Sequence, residues 1–121
     1  MFIDLEKVNI YIKPGATDMR KQINGLAIIV QDKLQHNPFS GSLFLFCNKQ
    51  RTHLKAIYWD RNGFCMYLKR LEKHKFPWPK NRGEAEAITL DQFRMLLDGI
   101  DFWKAHTELN YTKQKYPYSR S

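Results

Sequence analysis

Residues 54–79, LKAIYWDRNGFCMYLKRLEKHKFPWP, carry the reading that decides this fold. Asn62-Gly63 is a hairpin signal, because both residues accept the positive φ that tight turns between antiparallel strands require. The runs on either side, HLKAIYWD and FCMYLKR, are rich in aromatic and branched residues and read as the paired strands. A two-residue turn at Asn62-Gly63 pairs Arg61 with Phe64, Trp59 with Met66 and Ile57 with Leu68, which gathers one apolar face. Ala56, Tyr58, Tyr67 and Lys69 then fall on the other face. A three-residue turn slips the register and exchanges the faces. Lys55 lies opposite Arg70 in the first register and opposite Lys69 in the second, and like charges across a pair repel unless an anion sits between them. The open end of the hairpin is therefore expected to be an anion seat, with Glu72 or a phosphate as its occupant.

Working outward, the FPWP segment at 76–79 cannot lie in a central strand, since Pro77 and Pro79 donate no ladder hydrogen bond. Trp78 between them is either a plug in the core or a ring presented for stacking. SLFLFC, 42–47, reads as a strand joined to the hairpin by the turn NKQR, and VNIYI, 8–12, as a strand ended by Pro14-Gly15. TDMRKQINGLAIIVQDKLQ, 17–35, has Met19, Ile23, Leu26, Ala27, Val30 and Leu34 at helical spacing, with Thr17 or Asp18 available as a cap. Arg20 and Lys21 fall in its first turn, where free amides favour anions. NRGEAEA, 81–87, reads as an exposed loop, and ITLDQFRMLLDGID as a second helix with a Thr89/Gln92 capping box and Gly99 as its stop. The expected fold is α+β: an antiparallel β-meander of about four or five strands with two amphipathic helices packed on one face. Residues 1–103 form one domain, and 104–121 form a polar tail with three tyrosines.

The chain has 121 residues, 43% hydrophobic, which suits a single core. No apolar run approaches the roughly 20 residues that span a bilayer, and the acidic N-terminus does not resemble a signal peptide, so no membrane partner and a cytoplasmic location are expected. Cys47 and Cys65 sit in apolar runs and read as small core residues. The formal net charge is +8, and it is concentrated. From Lys49 to Arg82 there are ten cations against two acids, an excess of eight, while the rest of the chain holds ten of each. Such a segment is the electrostatic signature of a polyanion partner. The candidate nucleic-acid contacts are Lys49, Arg51, Lys55, Lys69, Arg70, Lys73, Lys75, Lys80 and Arg82, and the candidate partner-contact rings are Tyr58, Tyr67 and Trp78.

Catalytic signatures do not emerge. The four histidines, His36, His53, His74 and His106, are scattered without metal-ligand spacing, and there is no GxSxG or phosphate-binding glycine loop. Asp18, Asp60 and Asp101 could be imagined as a metal-binding carboxylate set, yet each has a local role as cap, hairpin flank or helix exit. No catalytic residue, metal, cofactor or small-molecule substrate is expected.

The blocks TDMRK, PFSG, WD.NGF, KRLE and F.WP, in this order from about Val8 to Trp103, resemble the TnpB-like accessory proteins, encoded by the second open reading frame, of the IS66 class of bacterial insertion sequences. The resemblance implies a small non-catalytic protein made alongside a separate transposase, with a basic residue, a lysine and the WD pair matched here by Arg51, Lys55, Trp59 and Asp60. It extends nothing to Lys104–Ser121. Two functions follow from these residues. One is binding to DNA phosphates through the basic hairpin region; the other is docking on the element's transposase through an aromatic edge.

Overall fold

In the computed structural model, which describes residues 3–80 and 85–103, the run Leu43–Cys47 is a strand buried at every position. A strand with one covered face alternates; burial at both parities requires a layer on each side. That is the arrangement found. The elements in order are β1 (Ile10–Ala16), α1 (Ile23–Asp32), β2 (Leu43–Cys47), β3 (His53–Asp60), β4 (Gly63–Arg70), β5 (Glu86–Ile88) and α2 (Leu90–Leu97). They build one five-stranded sheet in the order β4-β3-β2-β1-β5.

The α+β class holds, but the sheet is mixed and no pure antiparallel meander. β1 and β2 are parallel, with Ile10 opposite Leu43 and Ile12 opposite Leu45, because α1 and its loops carry the chain back between them. β2-β3, β3-β4 and β1-β5 are antiparallel. The helices also take opposite faces, where one shared face was expected. Leu26, Val30 and Leu34 pack with Phe44, Phe46 and Ile57 on one side. Phe93, Leu96, Phe76 and Phe102 pack with Ile12, Leu45, Leu54 and Tyr58 on the other. Glu86 and Ala87, expected in an exposed loop, join Ile88, expected in the second helix, to form β5, whose three residues pair with Ile10–Ile12; residues 81–84 of that loop lie outside the described residues.

β1 runs past Pro14 to Ala16 instead of ending before it. The missing donor is accommodated because the ladder is irregular between Ile12 and Ala16 and β5 pairs only with residues 10–12. The Gly15 amide donates instead to the Pro79 carbonyl at 2.9 Å, which ties the proline-rich segment to the sheet.

α1 is shorter than its apolar stripe. It starts after Gln22, whose side chain makes no cap, and neither Thr17 nor Asp18 caps it. At α2 the expected capping box is present: the Thr89 hydroxyl accepts from the Gln92 amide at 3.1 Å and Gln92 Oε1 accepts from the Thr89 amide at 2.9 Å. Thr89→Ala should lower the unfolding free energy by about 1 kcal/mol in a urea melt, with little change in slope.

The hairpin turn is Arg61-Asn62. Asp60 pairs with Gly63, Trp59 with Phe64 and Lys55 with Leu68. Arg61 has the positive φ, 55°, and the Asn62 amide donates to the Asp60 carbonyl, so Gly63 is free to enter β4. Lys55 faces neither Lys69 nor Arg70, so no pair of facing cations forms the expected anion seat; Glu72, one of its two expected occupants, pairs with Arg70. Relative to a turn at Asn62-Gly63 the pairing moves by two residues, which leaves every side chain on the same face.

Candidate nucleic-acid interface

Three loops converge at the end of the sheet where β2 exits and β3 begins. The loop after β1 is held by the Thr17 amide on the Cys47 carbonyl at 2.7 Å. In the 48–52 turn, Asn48 Oδ1 accepts from the Thr52 amide at 2.8 Å and the His53 amide at 3.0 Å, while Arg51 takes a φ of 63°. The segment after β4 is fastened to that turn by Leu71 N on Thr52 O at 2.9 Å and Phe76 N on Arg51 O at 2.8 Å. It then crosses to β1, where Trp78 Nε1 donates to the Lys13 carbonyl at 2.9 Å.

This convergence brings Lys49, Arg51, Lys73, Lys75 and Lys80 to one end, all exposed. Arg70 is exposed there too, but it holds Glu72 at 2.9 Å in a surface pair. Asp18 at the same end is engaged by Arg20, whose guanidinium makes hydrogen bonds of 2.7–3.1 Å to both carboxylate oxygens. Asp98 and Asp101, at the exit of α2, border this end, where Gly99 packs against the Lys75 carbonyl and His74. Arg82 lies outside the described residues.

Two of the basic candidates are occupied by the fold itself. Lys55 is 5% exposed, and its ammonium donates to the Met19 and Lys21 carbonyls, each at 2.8 Å. It is an internal fastener for the loop entering α1. Its place on the same face as Ile57 and Trp59 was the signal available in the sequence. Lys69 donates to the Leu97 carbonyl at 3.0 Å, where a cation complements the free carbonyls and the dipole of the α2 C-terminus. Among the aromatic candidates, Tyr58 is buried at 4% exposure and Tyr67 is open at 41%. Trp78 packs half-buried against the α2-side core, its ring nitrogen bonded, and so acts as the plug.

The far end of the sheet has the opposite character. Phe39, from the PFSG loop, meets Trp59 and Phe64 with ring centroids 5.0–5.3 Å apart. Phe39 is 56% exposed, and Leu68 on β4 is 54% exposed. Asp60 lies at this tip, six residues along β3 from Leu54 and so about 20 Å from the end that holds Asp18. Asp18 and Asp60 therefore cannot share a metal, and among the described residues no three His, Cys, Asp or Glu side chains are grouped to hold one.

The Arg20 side-chain hydrogen bond, helped by the Arg20 amide, holds the Asp18 carboxyl down to about 2. A depressed acid contributes stability above the ordinary carboxylate range and loses it as pH falls through its folded value. NMR titration of the Asp18 carboxyl should show its midpoint near 2, and Arg20→Gln should return it toward the ordinary range. Burial pushes the Cys47 thiol up to about 12, whereas Cys65 is only half-buried. A disulfide reagent should therefore react with one thiol in the native chain, Cys65, and with both after denaturation.

The model of the IS66 Orf2-like protein family matches residues 8–107. The chain belongs to that family. Among its relatives, uncharacterized protein y4hO of Sinorhizobium fredii (strain NBRC 101917 / NGR234) is 41% identical over 97 residues, covering 80% of this chain and 84% of the relative. Uncharacterized protein y4jC of the same strain is 32% identical over 95 residues, 78% of this chain and 81% of the relative. No solved structure matches the chain. Within this IS66 Orf2-like fold, PFSG and WD.NGF meet at the aromatic tip, whereas the KRLE and F.WP blocks build the basic end. No helix among the described residues is long and apolar enough to cross a membrane.

Proposed function

We propose that this IS66 Orf2-like protein is a non-catalytic accessory factor of insertion-sequence transposition that binds duplex DNA by the phosphates. The observation that carries the reading is the convergence of Lys49, Arg51, Lys73, Lys75 and Lys80 on one end of the sheet, with Asp18 and Glu72 there already engaged by arginines. Cations in exposed loop positions around a rigid sheet end suit a polyanion track better than one small ligand. The aromatic tip supports the alternative, docking on the element's transposase, because Phe39, Trp59 and Phe64 form a rigid, partly open cluster of the kind that anchors protein interfaces.

Titration of the purified chain on terminal-repeat duplex and on scrambled duplex, at two salt concentrations, tests the reading. Affinity should be similar for both duplexes and fall log-linearly with salt. Changing Lys49, Lys73, Lys75 and Lys80 together to Gln should shallow that slope by about 3–4, at roughly 0.9 for each phosphate no longer neutralised. An unchanged slope removes the DNA reading. Capture of the transposase by a chain that shows no duplex binding installs the alternative.

A further inference from the structure

A groove of about 390 Å³ runs between α1 and β1. Its helix wall is one face of α1 and its approach, Lys21, Gly25, Ile28, Ile29 and Asp32, with Lys33 at the exit; its strand wall is Lys13 and Ala16–Asp18. Lys13 and Lys33 both line the groove, one from each wall. Lys13 is half-buried and already anchored, its ammonium donating to the Ala16 carbonyl at 3.0 Å, which leaves it further donors. Burial lowers the pKa of Lys13, and the charge of Lys33 lowers it further. On the helix wall the stem of Lys21 lies over Gly25, where an added Cβ would stand 3.3 Å from Lys21 Cβ. Two carboxylates also line the groove: Asp18 is engaged by Arg20, and Asp32 is exposed. Thr17 in the wall is 6% exposed, and its hydroxyl has no hydrogen-bond partner. Between the charged groups the lining is apolar, with Ile28 57% exposed.

We propose that this groove seats a nucleotide unit, its phosphate between Lys13 and Lys33 and its base or sugar against Ile28. A phosphate there meets two cations that line one groove from opposite walls, and the base or sugar covers an isoleucine otherwise left open to water. A phosphate alone would leave the apolar stretch unused. Lys49, Lys73, Lys75 and Lys80 take no part, so this seat and the duplex-binding end stand or fall separately. A free mononucleotide and a nucleotide within a single strand present the same chemistry.

The test is an NMR titration of the full ¹⁵N-labelled chain with inorganic phosphate, deoxyadenosine monophosphate and a short single-stranded oligonucleotide. Saturable shifts of the Ala16, Thr17, Gly25 and Ile28 amides are expected, with the mononucleotide tighter than phosphate. Lys33→Gln, at an exposed position that leaves folding intact, should weaken phosphate about tenfold, as loss of one charge-assisted hydrogen bond does. Ile28→Ser should abolish the advantage of the mononucleotide over phosphate while sparing phosphate itself. Oligonucleotide binding tighter than mononucleotide binding assigns the seat to a strand, and equal binding assigns it to the free nucleotide. Shifts that never saturate, or that persist unchanged in both Lys33→Gln and Lys13→Gln, overturn the seat. Equal affinity for phosphate and mononucleotide overturns its nucleotide character. The quadruple Gln variant of the basic end should bind the mononucleotide as the unaltered chain does, which separates this result from any failure of duplex binding.

Discussion

Phe46→Ala should cost about 3–5 kcal/mol, the range for truncating a buried aromatic side chain, and leave the chain close to its folding threshold. Phe46 is fully buried at the centre of the sheet and packs with Leu26, Val30, Phe44 and Ile57 under α1. Two terms add: the transfer free energy of the ring, and the cavity that remains because β2 is hydrogen-bonded on both edges and cannot collapse toward the helix. Small domains unfold with about 5–15 kcal/mol in total, so this loss takes a large share. Urea melts followed by circular dichroism and by tryptophan fluorescence should show the midpoint falling by about half. A loss below about 1 kcal/mol would mean that α1 is not packed on this face as described.

Lys55→Met should destabilise the domain by about 3 kcal/mol, although it removes a positive charge from a strongly basic protein. Methionine fills much of the same volume, so little cavity forms and the cost is electrostatic and polar. It comes from stranding the Met19 and Lys21 carbonyls, each bonded by the ammonium at 2.8 Å in a site only 5% exposed. Each buried acceptor left without a donor costs about 1–3 kcal/mol. The melting temperature should fall by about 10 °C or more. The exposed Lys49→Gln serves as the control and should move stability by less than about 0.5 kcal/mol. Equal stability of the Lys55→Met and Lys49→Gln chains would show that Lys55 is no fastener.

These two lysines are alike in the sequence and opposite in the fold, one buried and one exposed. Local chemistry was sufficient for the elements. The strand at 53–60, the capping box at Thr89 and Gln92, and the left-handed stop at Gly99 each follow from rules acting over a few residues, and each stands in the structure. The family followed from the order of the motif blocks, which is a property of the sequence alone. The segment that carries the whole charge excess was equally legible.

What needed the tertiary structure is every choice between arrangements that satisfy the same local rule. The strand period of two assigns side chains to faces but cannot distinguish registers that differ by two residues, and the cross-strand contact of Trp59 with Phe64, joined by Phe39 from a distant loop, is found only in the observed one. A helical stripe shows that α1 and α2 each bury a face, but not that they bury them on opposite sides of the sheet. The unbroken apolarity of Leu43–Cys47 carried that information, since a strand covered on both faces has no reason to alternate. Charge in a sequence likewise says nothing about burial. Lys55 is taken inside because two carbonyls of the loop entering α1 meet it there, while Lys13 and Lys33, twenty positions apart, line one groove that exists only after α1 folds back along β1.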